Sequence, residues 1–200
     1  VTYHLNKEND FYFSYAKAHR EPNRTDYEGG IVKPEKLDDY ELGWRFAKDK
    51  VMMNTNIYYM AYKDQLILTG NLDDVGNPIR SNSDKSYRLG LEFDATVEIS
   101  KQIIIKPNFT FSQNKNKDLN VQNVNVGTKD IAYSPSFIAG NILVYKPKQH
   151  IQISWLSKFV GKQYINNIEL PLAELKDYFV NDLNIAYEIQ PKSVFKNITF

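Results

Sequence analysis

Arg88, Glu92 and Asp94 put a guanidinium and two carboxylates into one short stretch, the raw material of an acid–base or anion-binding centre. Their setting decides otherwise. In Tyr87–Ile99, YRLGLEFDATVEI, the odd positions are Tyr87, Leu89, Leu91, Phe93, Ala95, Val97 and Ile99. The even positions are Arg88, Gly90, Glu92, Asp94, Thr96 and Glu98. A period of two belongs to a β-strand, whose successive side chains point to opposite faces. The charged trio is therefore a solvated ladder along one face of a long strand. The sequence carries no Ser/His/Asp, P-loop or zinc signature, and no enzyme activity is expected. His4, His19 and His150 are spread through the chain, so neither a metal site nor a cofactor is expected. Asp73 and Asp74 with Asn71 and Asn77 fit no calcium-loop spacing and read as a solvated turn. Three glycosylation sequons begin at Asn23, Asn108 and Asn197; two fall on expected strands, and no modification is expected.

A second cluster, His19, Arg20, Arg24 and Tyr27, falls where a strand meets a long polar segment. Arginines there suit an anionic, carboxylate-rich ligand. The competing reading has Arg20 pairing with structural acids such as those near Glu92.

Bulk properties narrow the class. The net charge of +1 among 200 residues gives no case for nucleic acid. Cysteine is absent, which excludes disulfides and thiolate metal sites. No apolar run approaches the length of a membrane helix. A mean hydropathy of −0.51 suits a soluble protein. It suits a membrane β-barrel equally, because half of each strand there faces a wet interior. The 14 Tyr and 11 Phe weigh towards β structure and interfacial aromatic girdles. No signal peptide is visible at Val1, and the chain reads as cut from a longer polypeptide.

The elements that must position these residues alternate along the chain. Strands are expected at 1–5, 11–18, 40–46, 51–68, 87–99, 103–112, 137–145, 151–159, 179–189 and from 198. Pro107 is tolerable only where its missing N–H is not needed. Short turns near 7, 48, 101, 147 and 192 carry Lys7, Lys48, Lys50, Lys101, Lys146, Lys148, Lys192 and Lys196. Long loops are expected at 19–37, 70–84, 114–134 and 160–177, the last with a helical turn in LAELKDY. Short turns at one end and long loops at the other define an up-and-down antiparallel meander. Strands this long, with Glu41, Arg45, Arg88, Glu92, Asp94 and Glu98 on their polar faces, suit the wet lumen of a wide transmembrane barrel. A soluble antiparallel sheet acting as a binding module, for example for carbohydrate, is the competing class; a second sheet covering the apolar face would distinguish it.

The order of segments resembles the C-terminal part of the barrel of a TonB-dependent outer-membrane receptor. FYFSYAKAHREPN resembles that family's "YSxxFRxPN" element, and KPEKLDDYELGWRF its "L-x-P-E-x-x-x-x-Y-E-L-G" segment. NIYYMAYKDQLI resembles the next strand and SYRLGLEFDATVEI the "G-x-E" strand beyond it. His19 departs from the aromatic residue more common at its position, and Glu21 from a small one.

The resemblance implies a plugged barrel of about 22 strands. Residues 1–200 would supply about eight full strands plus partial strands at both ends, without the plug. It implies residence in the outer membrane of a Gram-negative bacterium and TonB-energised uptake of a scarce nutrient of the iron-siderophore, haem or cobalamin class. The implied partners are the N-terminal plug, the rest of the barrel, the TonB complex, the lipid bilayer and a metal-chelate or cobalamin-type ligand. Leu89, Leu91, Phe93 and Val97 would face lipid, and the polar residues named above the lumen. Gly90, on the lumen side, would leave room for the plug.

Overall fold

The structure, a computed structural model, describes residues 1–27, 29–121, 124–189 and 198–199. Among them eight strands of ten residues or more follow one another across a single antiparallel sheet. A short strand, β1 (Thr2–His4), pairs with β2 (Asn9–Arg20). β3 (Glu35–Lys48), β4 (Val51–Leu72), β5 (Pro78–Glu98) and β6 (Ile103–Lys117) come next. β7 (Phe137–Lys148), β8 (Ile151–Val160) and β9 (Tyr178–Ile189) complete the run, and Ile198–Thr199 pairs with the far side of β9. The long strands pair in sequence order, with Lys129–Asp130 as a further short partner of β6, so the fold is the expected meander.

The connections sort as expected with one large exception. β3 and β4 are joined by Asp49 and Lys50 alone, Asp49 taking the positive φ of 47° that so tight a hairpin favours. Residues 70–84 are not a loop. β4 and β5 continue through them as a paired ribbon, and the connection shrinks to residues 73–77. The polar composition misleads here because ladder pairing uses backbone groups that every residue carries. The remaining long connections span 21–34, 118–136 and 161–177. A 3-10 turn at Pro171–Ala173 overlaps the helical turn expected in LAELKDY. The expected turn at 190–196 lies outside the described residues.

Leu91 and Glu92 fall on opposite faces. Leu91 stands in a row with Phe13, Leu42, Ile57 and Phe111, and Glu92 in a row with Tyr12, Gly43, Asn56 and Thr110. Aromatic rings run across β5 to β8 on the apolar face: Phe93 stacks on Phe109 at 5.0 Å, Phe111 on Phe137 at 4.5 Å, and Phe137 meets Phe159 at 5.7 Å. No second sheet covers this face among the described residues. Leu42 is 55% exposed, Trp155 52% and Leu183 65%, which removes the soluble sandwich as an alternative. Pro107 sits inside the sheet, and the β5–β6 ladder skips the positions around it, resuming at Asp94–Asn108 and Val97–Ile105.

Candidate functional site

The polar face and the long connections meet at one end of the sheet. Within the face, large side chains lie over small ones on the next strand. Tyr12 on β2 covers Gly43 on β3 and donates its hydroxyl to Asn56 Oδ1 on β4 at 3.2 Å. Tyr58 on β4 covers Gly90 on β5, with Ser112 next in the row on β6. A Cβ on Gly90 would stand 2.5 Å from the Tyr58 ring, so the space at Gly90 is filled by the wall itself and is not left open for a plug. The glycines of the Y-E-L-G and G-x-E segments thus seat rings from the preceding strand.

Beyond these rows the connections fold back onto the strands. Asp26 in the first long connection is fully buried, at 3.2 Å from Arg20 at the end of β2 and 3.4 Å from Arg80 on β5. Its Oδ2 also accepts the Asn23 N–H at 2.9 Å, and the Asn23 side chain accepts the Asp26 N–H at 3.1 Å. The Pro-Asn element therefore builds a tight turn that aims a carboxylate at two guanidiniums from separate strands. Glu35 of the Pro-Glu element accepts the Leu66 N–H on β4 at 2.9 Å, just past Asp64, where the strand takes a positive φ of 57°. Asn82 on β5 exchanges hydrogen bonds with the Lys33 backbone at 2.7 and 3.0 Å. The tall β4–β5 ribbon and the 21–34 connection form one body.

A second body forms around Asn167, which is 4% exposed. It donates to the Leu68 carbonyl on β4 at 2.6 Å and accepts from the Asn116 amide at 3.1 Å and the Ala132 N–H at 2.9 Å. Glu169 accepts the Asp130 N–H at 2.6 Å and lies 3.5 Å from Lys129. The 161–177 connection leaves β8 yet reaches β4, drawing the 118–136 connection with it. Within it, a hydrogen bond to Glu174 raises the Lys162 ammonium above the usual lysine value.

Beneath the second body lies a hollow of about 400 Å³ lined by Glu41, Asn56, Tyr58, Arg88, Glu92, Ser112, Asn114, Tyr133 and Ser134, among others. The Arg88 guanidinium donates to Ser134 Oγ at 3.0 Å and Asn114 Oδ1 at 3.2 Å, both neutral acceptors. Among the described residues no carboxylate lies within ion-pair distance of it. Glu92 is four residues along the same strand, about 13 Å away.

The sequence model of the TonB dependent receptor-like, beta-barrel family matches residues 1–200. The chain belongs to that family. Its members are transporters of the outer membrane of Gram-negative bacteria. Solved structures of similar fold include "Copper transporter OprC", at TM-score 0.72 and 16% identity, covering 93% of this chain and 30% of that one. A mutant of the ferric enterobactin receptor from Pseudomonas aeruginosa in complex with enterobactin gives TM-score 0.70 and 16% identity, covering 93% and 32%. The ferric yersiniabactin uptake receptor FyuA from Yersinia pestis gives 0.70 and 16%, covering 93% and 28%. The chain thus spans about a third of the length of the structures it matches. No curated protein matches it in sequence.

In this TonB-dependent receptor barrel the second cluster, His19, Arg20, Arg24 and Tyr27, divides. Arg20 is on the polar face but engages Asp26, not the acids near Glu92. His19 is on the apolar side of the sheet, opposite Lys36. Arg24 and Tyr27 lie exposed on the 3-10 turn Arg24–Tyr27. Glu41, Arg45, Glu92 and Asp94 share the polar face with Arg88, and Arg45 stacks over the Tyr12 ring at 4.7 Å. Glu98 continues that face to the short-turn end of β5. Asp73 accepts the Val75 and Asn77 N–H groups at 2.9 and 2.7 Å, as a solvated turn requires. Sequence reasoning missed Asp26, Arg80 and Asn167. The Asn23-to-Asp26 spacing was a legible turn signal; the contacts of Arg80 and Asn167 join residues far apart in the chain.

Proposed function

We propose that this chain is wall and outer rim of a receptor for TonB-energised uptake of a scarce nutrient, of the iron-siderophore, haem or cobalamin class. Leu89, Leu91, Phe93 and Val97 face lipid. Glu41, Arg45, Arg88, Glu92, Asp94 and Glu98 face the lumen and its N-terminal plug. The short turns face the periplasm, and the long connections face the cell exterior. No bond chemistry is performed; binding energy and remodelling of the plug through the TonB complex move the cargo.

The observation that carries this reading is the hollow at Arg88, flanked by Tyr133 and Ser134 of the 118–136 connection, which the 161–177 connection in turn holds through Asn167. An oriented guanidinium with neutral partners keeps donors for an anionic chelate. Arg24 and Tyr27 are proposed as a second contact at the rim. Arg20 holds the rim in shape rather than touching cargo. The similar solved structures, which include a copper transporter and two ferric-siderophore receptors, support a metal or chelate class of cargo.

The test is a growth assay of cells dependent on the full-length receptor, with iron source and cobalamin supplied separately. One chelate class is expected to require both the receptor and TonB, and Arg88→Gln to weaken its uptake. Equal growth with and without the receptor on every source overturns the reading.

A further inference from the structure

Outside the aromatic rows, the apolar side of the sheet ends in a line of bases. Lys36 on β3 is the direct cross-strand partner of Lys63 on β4. Lys63 faces Lys85 on β5, and Lys85 faces Lys117 on β6. His19 on β2 extends the line as the partner of Lys36. Direct partners share a face, and counting back by twos from each reaches Tyr15, Tyr40, Tyr59, Leu89 and Gln113, the upper margin of the apolar band. Like charges placed directly opposite destabilise a sheet. Four lysines in one row across four strands, all exposed, therefore call for an anion.

Among the described residues none is supplied. Asp38, a row nearer the apolar band, is taken by Lys17 at 3.5 Å and by the Tyr15 hydroxyl at 2.7 Å. Asp130 is taken by Lys115 at 2.7 Å. Among the described residues no carboxylate pairs with Lys36, Lys63, Lys85 or Lys117; Lys117 only leans over the Tyr87 ring, at 5.0 Å. The row spans about 15 Å from Lys36 to Lys117, three strand spacings. Below it stand Tyr15 and Tyr87, whose hydroxyls donate to Asp38 and Gln113, an apolar body with a polar tip of the kind favoured at membrane interfaces.

We infer that Lys36, Lys63, Lys85 and Lys117 bind the phosphate groups of an anionic lipid in the outer leaflet. The inference rests on the outward placement of the apolar face. It is independent of the cargo, because the row lies on the side of the wall away from the hollow.

The test uses the full-length receptor in nonionic detergent, titrated with mixed micelles containing lipid A, a phosphorylated glycolipid. Micelles containing its dephosphorylated form, or phosphatidylethanolamine alone, serve as comparisons. Retained lipid and melting temperature are read. The wild type is expected to retain lipid A about tenfold more strongly than the variant Lys36→Gln, Lys63→Gln, Lys85→Gln, Lys117→Gln. High salt should narrow the gap, and arginine at all four positions should bind as the wild type does. If the quadruple variant does not fold, judged by heat-modifiable gel mobility, the pair Lys63→Gln, Lys85→Gln decides, with a several-fold loss expected. Equal retention by wild type and glutamine variants, or of lipid A and its dephosphorylated form, overturns the proposal. A receptor that enters none of these micelles overturns the membrane placement instead.

Discussion

Tyr58 on β4 lays its ring over Gly90 on β5, and a methyl group there would stand 2.5 Å from the ring. Gly90→Ala is therefore expected to destabilise the full-length receptor by ~1–3 kcal/mol, as overpacking does. The urea midpoint in detergent measures it. Tyr58→Ala in the same chain should relieve the clash, so the double variant loses less than the sum of the single ones. Additive losses would mean that the ring and the glycine are not coupled.

Neighbouring residues on β5 should respond in opposite ways to one charge. Leu91→Arg puts a guanidinium on the apolar face and should cost ~2–4 kcal/mol if that position lies near the bilayer midplane. Glu92→Arg changes only the polar face and should leave folding in lipid vesicles close to the wild type. Similar losses for both would contradict the assignment of faces.

Asp26 ties the 21–34 connection to β2 and β5 through Arg20 and Arg80. Asp26→Asn keeps the shape and removes the charge. Both guanidiniums are at least a third exposed, so water replaces part of the lost interaction, and about 1–2 kcal/mol of local stability should go. Faster tryptic cleavage at Arg24, with the global unfolding midpoint nearly unchanged, is the expected result. Unchanged cleavage would show that other contacts hold the connection.

Asn167 joins β4, Asn116 and the backbone of Ala132 by three hydrogen bonds. Asn167→Ala leaves buried groups without partners, each worth about 1–3 kcal/mol. Hydrogen exchange at the Ala132 amide should accelerate, and the 161–177 connection should become protease-sensitive. Retained protection at Ala132 would count against this role.

Strand order and faces were readable because alternation is a local property. YRLGLEFDATVEI states which side each residue takes without reference to any neighbour. The β4–β5 ribbon was not readable beyond residue 70, because Pro78, Ser81, Asn82 and Ser83 have loop composition while their backbone remains paired. Register was equally hidden. That Lys36, Lys63, Lys85 and Lys117 form a line follows only once four strands are aligned, and the sequence separates them by 27, 22 and 32 positions. The hollow at Arg88 depends on Ser134, delivered by a connection whose path no periodicity encodes.

The β4–β5 ribbon makes the rim a slope. β4 has 22 residues and β8 has 10, a difference worth about 40 Å along the strand. The 161–177 connection that leaves β8 climbs this slope only as far as Leu68 and Gly70 on β4, so the tip at 73–77 stands beyond it. That tip is fastened by Asp73 to its own backbone and the ribbon below it by Arg80 to Asp26. On the outward placement proposed above, what an arriving ligand meets first is a paired ribbon closed by its own hydrogen bonds rather than an unpaired loop.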